Sequence, residues 1–442
     1  MLRPLLLLLF CALFISCSKQ ADLEPSAFSF NEEAALIDKN WPELFGAKLA
    51  QTVQKALDAS IKLKIFAGKN QLAQKDLDLA SQKDIGLNLK LDANSFINTQ
   101  IDEYSIGHGY QAALLFNQKL DLFKQKKYAK EAVELNAKAS EEDAKSFANN
   151  FKATVSKLYL RGFYLQESLR ELQDMQANAQ ALLELERSKY QIGFVSMQEL
   201  YKKEEVLNSA NLALLSTQKA LEETKAQMQA FLATKHEELM LPFSLFHEPK
   251  EPKTLPEISS KALINKSEVR ASLFRLLAAR NMKKSQASAL FPSFNISSSL
   301  SSSGNSLQNF LSNPVFSLGA GMLHPLINRK PLKINLKKAE INEELALLSY
   351  EESLRAALNK ASLALLAYEN CKKLELNAQK ALFVAKEFER MAKLSKEAGV
   401  IGEAEFLLSK LSSFKALIEL NNAKAASLSA LADFLASVAP DD

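Results

Sequence analysis

Three carboxylates sit just beyond two glycines that each close a long run poor in helix breakers. Glu199 lies six residues after Gly193, Glu405 lies six after Gly399, and Glu403 precedes Glu405 by two. What such groups offer is charge. At the start of a helix they are favoured by the macrodipole, and on a solvated face they need no further role. Gathered from several chains, they would focus a negative field. The residues that usually carry catalysis are not arranged for it. His108, His236, His247 and His324 have neither one another nor a cysteine at metal-ligand spacing, so no metal site is expected. There is no glycine-rich phosphate loop and no nucleophile elbow, and the serine-rich stretch 297–303 reads as strand and turn. Neither an enzyme nor a cofactor is expected.

The elements that hold the glutamates are written twice, about 206 residues apart. Arg187-Ser-Lys-Tyr-Gln-Ile-Gly193, followed by Leu200, answers Met391-Ala-Lys-Leu-Ser-Lys-Glu-Ala-Gly399, followed by Phe406. From Pro331 to Gly399 there is no helix breaker, and between Gly109 and Gly193 the only one is Gly162. At the helical rise, such a run makes a rod roughly 100 Å long. That length points to a coiled coil or an extended bundle. Beyond the first glycine, Leu200, Leu207, Leu214, Leu221 and Met228 recur every seven residues on a helix expected to end near His236. Beyond the second, Leu407, Leu411, Phe414, Ile418, Ala425, Leu428, Ala432 and Leu435 alternate spacings of four and three, with Asn421 in the one missing slot.

Ahead of each long run the period changes from helical to two. Ile85, Leu87, Leu89 and Leu91 alternate with Gly86, Asn88, Lys90 and Asp92; a polar turn is expected near Asn94 to Glu103, and Tyr110, Ala112, Leu114 and Phe116 resume the alternation. The second copy pairs Phe294, Ile296 and Leu300 with Phe316, Leu318, Ala320 and Met322 across a turn around Gly304. Helical stretches precede both pairs, one from about Glu32 to Gln82 with breaks near Trp41-Pro42 and Gly68, the other over 258–288. Each half thus reads helix, strand, strand, long helix, turn, helix. Strands of about 8 to 12 residues cross a bilayer when tilted. Four strands cannot close, and open edges in lipid leave backbone groups unpaired. Three copies would supply twelve strands, enough to close a barrel.

The N-terminus reads as a signal sequence. Arg3 supplies a positive charge, Leu5 to Ile15 an apolar core too short to span a bilayer, and small Ser16 precedes Cys17. This ending resembles the lipobox of bacterial lipoproteins, with Phe14 where an aliphatic is usual; it implies lipidation of Cys17, the alternative being ordinary cleavage nearby. Ser18 after the cysteine resembles lipoproteins sent to the outer membrane. Cys11 would leave with the signal, so Cys371 remains alone and no disulfide forms within the mature chain. With 55 basic and 51 acidic residues the charge is near balance, which implies no nucleic-acid partner.

Several local sequences converge on one family. Ala289-Leu-Phe-Pro-Ser-Phe-Asn-Ile-Ser297 leads into a strand, and Phe316-Ser-Leu-Gly-Ala-Gly-Met-Leu-His-Pro-Leu-Ile-Asn328 returns from one, ending in Pro325-Leu326-Ile327. Ser267-Glu-Val-Arg-Ala271 opens the second repeat, and Lys189-Tyr-Gln-Ile-Gly193 stands at a helical turn. In their order and doubled spacing these resemble the TolC family of outer membrane efflux proteins over about residues 30 to 438. The second turn departs from the pattern, with Lys396-Glu397-Ala398-Gly399 lacking the usual tyrosine.

The resemblance implies a mainly α fold with a β-barrel portion: a homotrimer whose twelve strands form a barrel in the outer membrane and whose helices form a tunnel across the periplasm. Partners would be a periplasmic adaptor protein and an inner membrane pump. It also implies a narrow periplasmic entrance lined by Glu199, Glu403 and Glu405, and adaptor docking at Ile192, Gly193, Phe194, Gly399, Val400 and Ile401. Simple packing inside the turn is the alternative for the last group. Lys124, Lys126, Lys127 and Lys130 follow the first strand pair, and Arg329, Lys330, Lys333, Lys337 and Lys338 follow the second. They offer either contact with outer membrane lipid headgroups or a solvated start to each long helix. The expected division is a signal at 1–17, a first repeat at 26–240, a proline-rich linker at 241–257 and a second repeat at 258–438. The expected function is the outer membrane channel of a tripartite efflux system for small toxic compounds. The alternatives are a type I secretion channel and a periplasmic adaptor or structural coiled-coil lipoprotein.

Overall fold

The protein is described by a computed structural model over residues 41–82, 85–100, 103–232, 263–306, 308, 309, 311–324 and 329–439. The signal with Cys17, the start of the 32–82 region, His236, His247, the linker at 241–257 and Pro325-Leu326-Ile327 lie outside the described residues. A 3-10 turn at Trp41–Phe45 is followed by α1 (Ala47–Ala59) and α2 (Ile61–Ser81). Next come the hairpin of β1 (Ile85–Gln100) and β2 (Glu103–Leu120), then α3 (Gln125–Gln191) and α4 (Met197–Leu232). The second half answers with α5 (Ser267–Ser288), β3 (Ser293–Gly304), β4 (Val315–Leu323), α6 (Arg329–Glu397) and α7 (Glu403–Val438). The doubling extends to length: α3 has 67 residues and α6 has 69, while α4 and α7 have 36 each.

Three expectations are corrected. The first helical stretch breaks at Ser60, and Gly68 lies inside α2. Ser60 is extended and its hydroxyl accepts from the Leu63 amide at 3.4 Å, so a capping side chain restarts the helix where no glycine or proline marks it. The stretch expected at 258–288 is likewise interrupted, by a turn at Asn265 and Lys266 between helical Ile264 and α5. Of the polar turn expected at 94–103, residues 94–100 and 103 are strand instead, and 101 and 102 lie outside the described residues. The register runs unbroken from Ile85 opposite Gln118 to Gln100 opposite Glu103. A two-residue connection suffices for an antiparallel pair, and Phe96, Ile97, Thr99 and Ile106 are residue types that favour strand. The ladder therefore continues through the intervening asparagines and serine. Because β3 pairs with β2 only as far as Gly304 opposite Tyr110, the first hairpin's ladder outruns the second by residues 94–100 paired with 103–109, a ribbon about 23 Å long.

The sheet runs β1-β2-β3-β4, all antiparallel, with β1 and β4 at its edges. Register sorts its side chains into two faces, since neighbours opposite one another share a face. One row joins Leu89, Leu114, Leu300 and Phe316, and the next joins Leu87, Phe116, Ser298 and Leu318. The other face carries rows such as Asn88, Leu115, Ser299 and Ser317, or Gly86, Asn117, Ser297 and Gly319. One mainly apolar face backed by one mainly small or polar face, with Ser298 and Leu115 as exceptions, is the alternation of a membrane barrel wall.

The helices bury alanine-rich seams. Leu214, Leu221 and Met228 of the seven-residue repeat are buried, whereas Leu200 and Leu207, nearer the turn, are half-buried. The largest core gathers the Trp41–Phe45 segment, α1, the middle of α3 and the end of α7. Its polar tie runs from Trp41 Nε1 to Asn149 Oδ1 at 3.0 Å and from Asn149 Nδ2 to the Ala436 carbonyl at 2.8 Å. Buried Lys266 donates to the Ala436 and Ala439 carbonyls, both at 2.9 Å, which satisfies acceptors that the end of α7 leaves open.

Candidate functional site at the helical turns

Both long helices end in the same way. Gly193 has φ +75° and Gly399 φ +71°, the left-handed region where a Cβ is penalised. At the first turn the Gly193 amide donates to Tyr190 at 2.9 Å and the Phe194 amide to Lys189 at 2.8 Å. At the second, Gly399 donates to Lys396 at 2.9 Å and Val400 to Ser395 at 2.8 Å. These paired bonds are the Schellman motif, which satisfies the last carbonyls of each helix. Ile192 is 77 % exposed, Phe194 81 % and Val400 76 %, so these three side chains project from the turns. Ile401 is half-buried and contributes less surface than its neighbours.

The three glutamates all fall in first turns, Glu199 in α4 and Glu403 and Glu405 in α7. Their surroundings differ. Glu199 accepts from Lys202 Nζ at 2.7 Å, and this hydrogen bond, with the lysine charge, holds its carboxyl below the usual range. Glu403 is paired across the turn with Lys396, whose ammonium also lies 4.8 Å from the centre of the Phe406 ring. Glu405 is exposed and makes no ion pair among the described residues. The sequence marks Lys396 and Phe406 only as parts of the repeat; no helical spacing links Lys396 to Glu403, so their pairing has no signal there.

At the other end of the long helices, Lys124 has φ 59° and gives α3 no side-chain cap. Exposed cations follow in the first turns of α3 and α6, where neither helix carries an acidic residue. Of the histidines, His108 Nδ1 lies 3.1 Å from Ser95 Oγ across the first hairpin and His324 is exposed. Among the described residues no group of three histidine, cysteine or acidic side chains converges, and no helix is long and apolar enough to cross a membrane.

A duplicated hairpin-and-long-helix chain whose sheet has one apolar and one polar face defines a channel-forming outer membrane protein. Residues 258–438 match the family described as outer membrane efflux protein. It is similar to the pyoverdine export outer membrane protein OpmQ of Pseudomonas putida, 23 % identical over 335 residues that cover 73 % of this chain and 71 % of the relative. It is 26 % identical over 275 residues to the probable outer membrane lipoprotein SilC of Salmonella typhimurium, covering 57 % of this chain and 55 % of that one. The solved outer-membrane channel OprN superposes with a TM-score of 0.83 at 17 % identity, covering 93 % of this chain and 94 % of OprN. The fold is therefore that of the efflux channels, mainly α with a β-barrel portion.

Proposed function

We propose that three copies of this chain form a passive duct, the outer membrane component of a tripartite efflux system that carries small toxic compounds expelled by an inner membrane pump. The observation that carries this reading is the sheet. Its four strands have a lipid-compatible face and two unpaired edges, β1 and β4. Edges exposed in hydrocarbon cost several kcal/mol per unpaired backbone group. Joining the β4 edge of one copy to the β1 edge of the next closes twelve strands with no edge left.

The remaining parts of the reading follow from that assembly. Ile192, Phe194 and Val400, with Gly193, Gly399 and Ile401 beside them in the chain, form the surface offered to a periplasmic adaptor; apolar groups at the end of a rod are otherwise a liability. Glu405, with Glu199 and Glu403, lines the narrow entrance and prefers cations. Cys17 carries the lipid anchor. The chain divides into a signal at 1–17, a repeat at 26–240, a linker at 241–257 and a repeat at 258–438. Native mass spectrometry of the detergent-extracted protein tests the core claim. A trimer with an acyl-sized increment on each chain is the expected result. A monomer, or a protein released without detergent, would leave the strand edges open and favour an adaptor or structural role.

A further inference from the structure

We propose that the barrel has a lipid-selective collar: exposed cations at the helical end of the sheet hold the headgroups of anionic glycerophospholipids in the leaflet that meets the periplasm. The inference rests on the channel reading above and adds to it a binding partner. It begins with the register. The apolar face of the sheet ends, toward the helices, in the row of Leu120, Phe294 and Met322. Just past that row, Leu122 and Phe291 are exposed, and Phe291 stacks on Phe123 at 4.7 Å between ring centres. The lipid-facing surface therefore continues slightly beyond the last strand residues.

The cations begin where this surface stops. Lys124, Lys127 and Lys130 recur every third residue, and Arg329, Lys330 and Lys333 fall at the spacing that shares one helix side. All six are exposed. β2 and β4 deliver these two groups to the same end of the antiparallel sheet. The chain complements the first group in part: Asp121 Oδ2 accepts from the Lys127 amide at 2.9 Å, Lys127 Nζ is 3.8 Å from Glu131, and the Lys130 charge acts on Glu134. Lys124, Arg329, Lys330 and Lys333 make no ion pair among the described residues. Positive charge at the start of a helix opposes the macrodipole, and the same chain obeys that rule at the other end, where α4 and α7 begin with glutamates. A negatively charged bilayer surface supplies the missing complement, and such surfaces attract lysine and arginine held beside them. Continuity with the lipid-facing rows selects a membrane headgroup over a soluble anion.

The test compares full-length wild type with two neutralised variants, one carrying Lys124→Gln, Lys127→Gln and Lys130→Gln, the other Arg329→Gln, Lys330→Gln and Lys333→Gln. Each protein is extracted from bilayers of equal phosphatidylethanolamine and phosphatidylglycerol, and the bound lipids are counted by native mass spectrometry. Wild type should retain phosphatidylglycerol in preference, and each triple change should cut that preference by roughly tenfold or more. Versions with the cations exchanged, lysine for arginine and the reverse, should keep it, which separates loss of charge from loss of fold. Equal retention of both lipids by wild type, or undiminished preference in both neutralised variants, would overturn the collar. So would a shift of ion selectivity in planar phosphatidylcholine bilayers with lipid preference unchanged, because the cations would then face the lumen. Failure of wild type to enter phosphatidylcholine nanodiscs at all would remove the channel reading itself, a different result from insertion without lipid preference.

Discussion

The two helical turns share a backbone and differ in how they are fastened. Both use a glycine at positive φ and the same pair of closing hydrogen bonds. The second turn adds a tie from one helix to the next: Lys396 reaches Glu403 and covers the Phe406 ring. At the first turn, the glutamate is held by Lys202 of its own helix, a local pair that does not cross the turn. Backbone geometry thus makes the reversal, and side chains decide whether the two helices are coupled through it. One hairpin thus carries a side-chain tie at its turn, while the other is closed there by backbone and packing, its arms being joined further back where Gln176 Nε2 donates to Asn211 Oδ1 at 2.7 Å.

Valine at either glycine tests that contrast most severely. A β-branched residue held at positive φ costs about 1–3 kcal/mol. Gly193→Val should open its turn further than Gly399→Val opens the second, as read by amide exchange over residues 189–200 and 395–406. Equal opening would mean that the cross-turn tie adds nothing. A smaller effect is expected from Lys396→Met, which removes the ion pair and the ring contact together, roughly 1 kcal/mol in all. A double-mutant cycle with Glu403→Gln should show coupling in exchange at the second turn. The corresponding Lys202→Met change should leave exchange across the first turn unaltered.

Charge neutralisation sharpens the comparison at the entrance. Glu405→Gln should reduce cation preference, measured as reversal potential in planar bilayers, more than Glu403→Gln, whose carboxylate already faces Lys396. An equal change at both positions would show that the pair opens in the assembled channel. The smallest effect is that of pH on Glu199. Its carboxyl is held below the usual range by Lys202, so the pairing is fully present above the ordinary glutamate value and is lost as pH falls through the lowered one. The Glu199 carboxyl, followed by its NMR shift, should stay ionised through the ordinary carboxylate range and take up its proton only below it. Protonation within or above that range contradicts the pairing.

Much of the architecture is legible because it depends on backbone rules that sequence displays. Gly193 and Gly399 end uninterrupted helical runs, and apolar residues at Leu87, Leu89, Phe316 and Leu318 alternate as strands do. What escapes depends on partners. Ser60 breaks a helix through a hydroxyl that any mid-helix serine also carries. The strand segments at 94–100 and 103–109 violate apolar alternation, and each is paired by the opposite strand, not by its own pattern. At the candidate site the positions of Glu199, Glu403 and Glu405 are readable from their distance to a glycine. Their inequality is not, because Lys396 meets Glu403 only after the chain has reversed.

The knot formed by Trp41, Asn149, Ala436 and Lys266 has a practical consequence. This chain has one tryptophan, and it is fully enclosed with its indole nitrogen bonded to Asn149. Intrinsic emission excited through that indole therefore comes from a single known address. It should be blue-shifted and shielded from aqueous quenchers while the segment at Trp41–Phe45, α3 and the end of α7 remain joined, and it should stay silent to events at the distant turns. The protein carries its own optical gauge for the integrity of one core, with no label to attach.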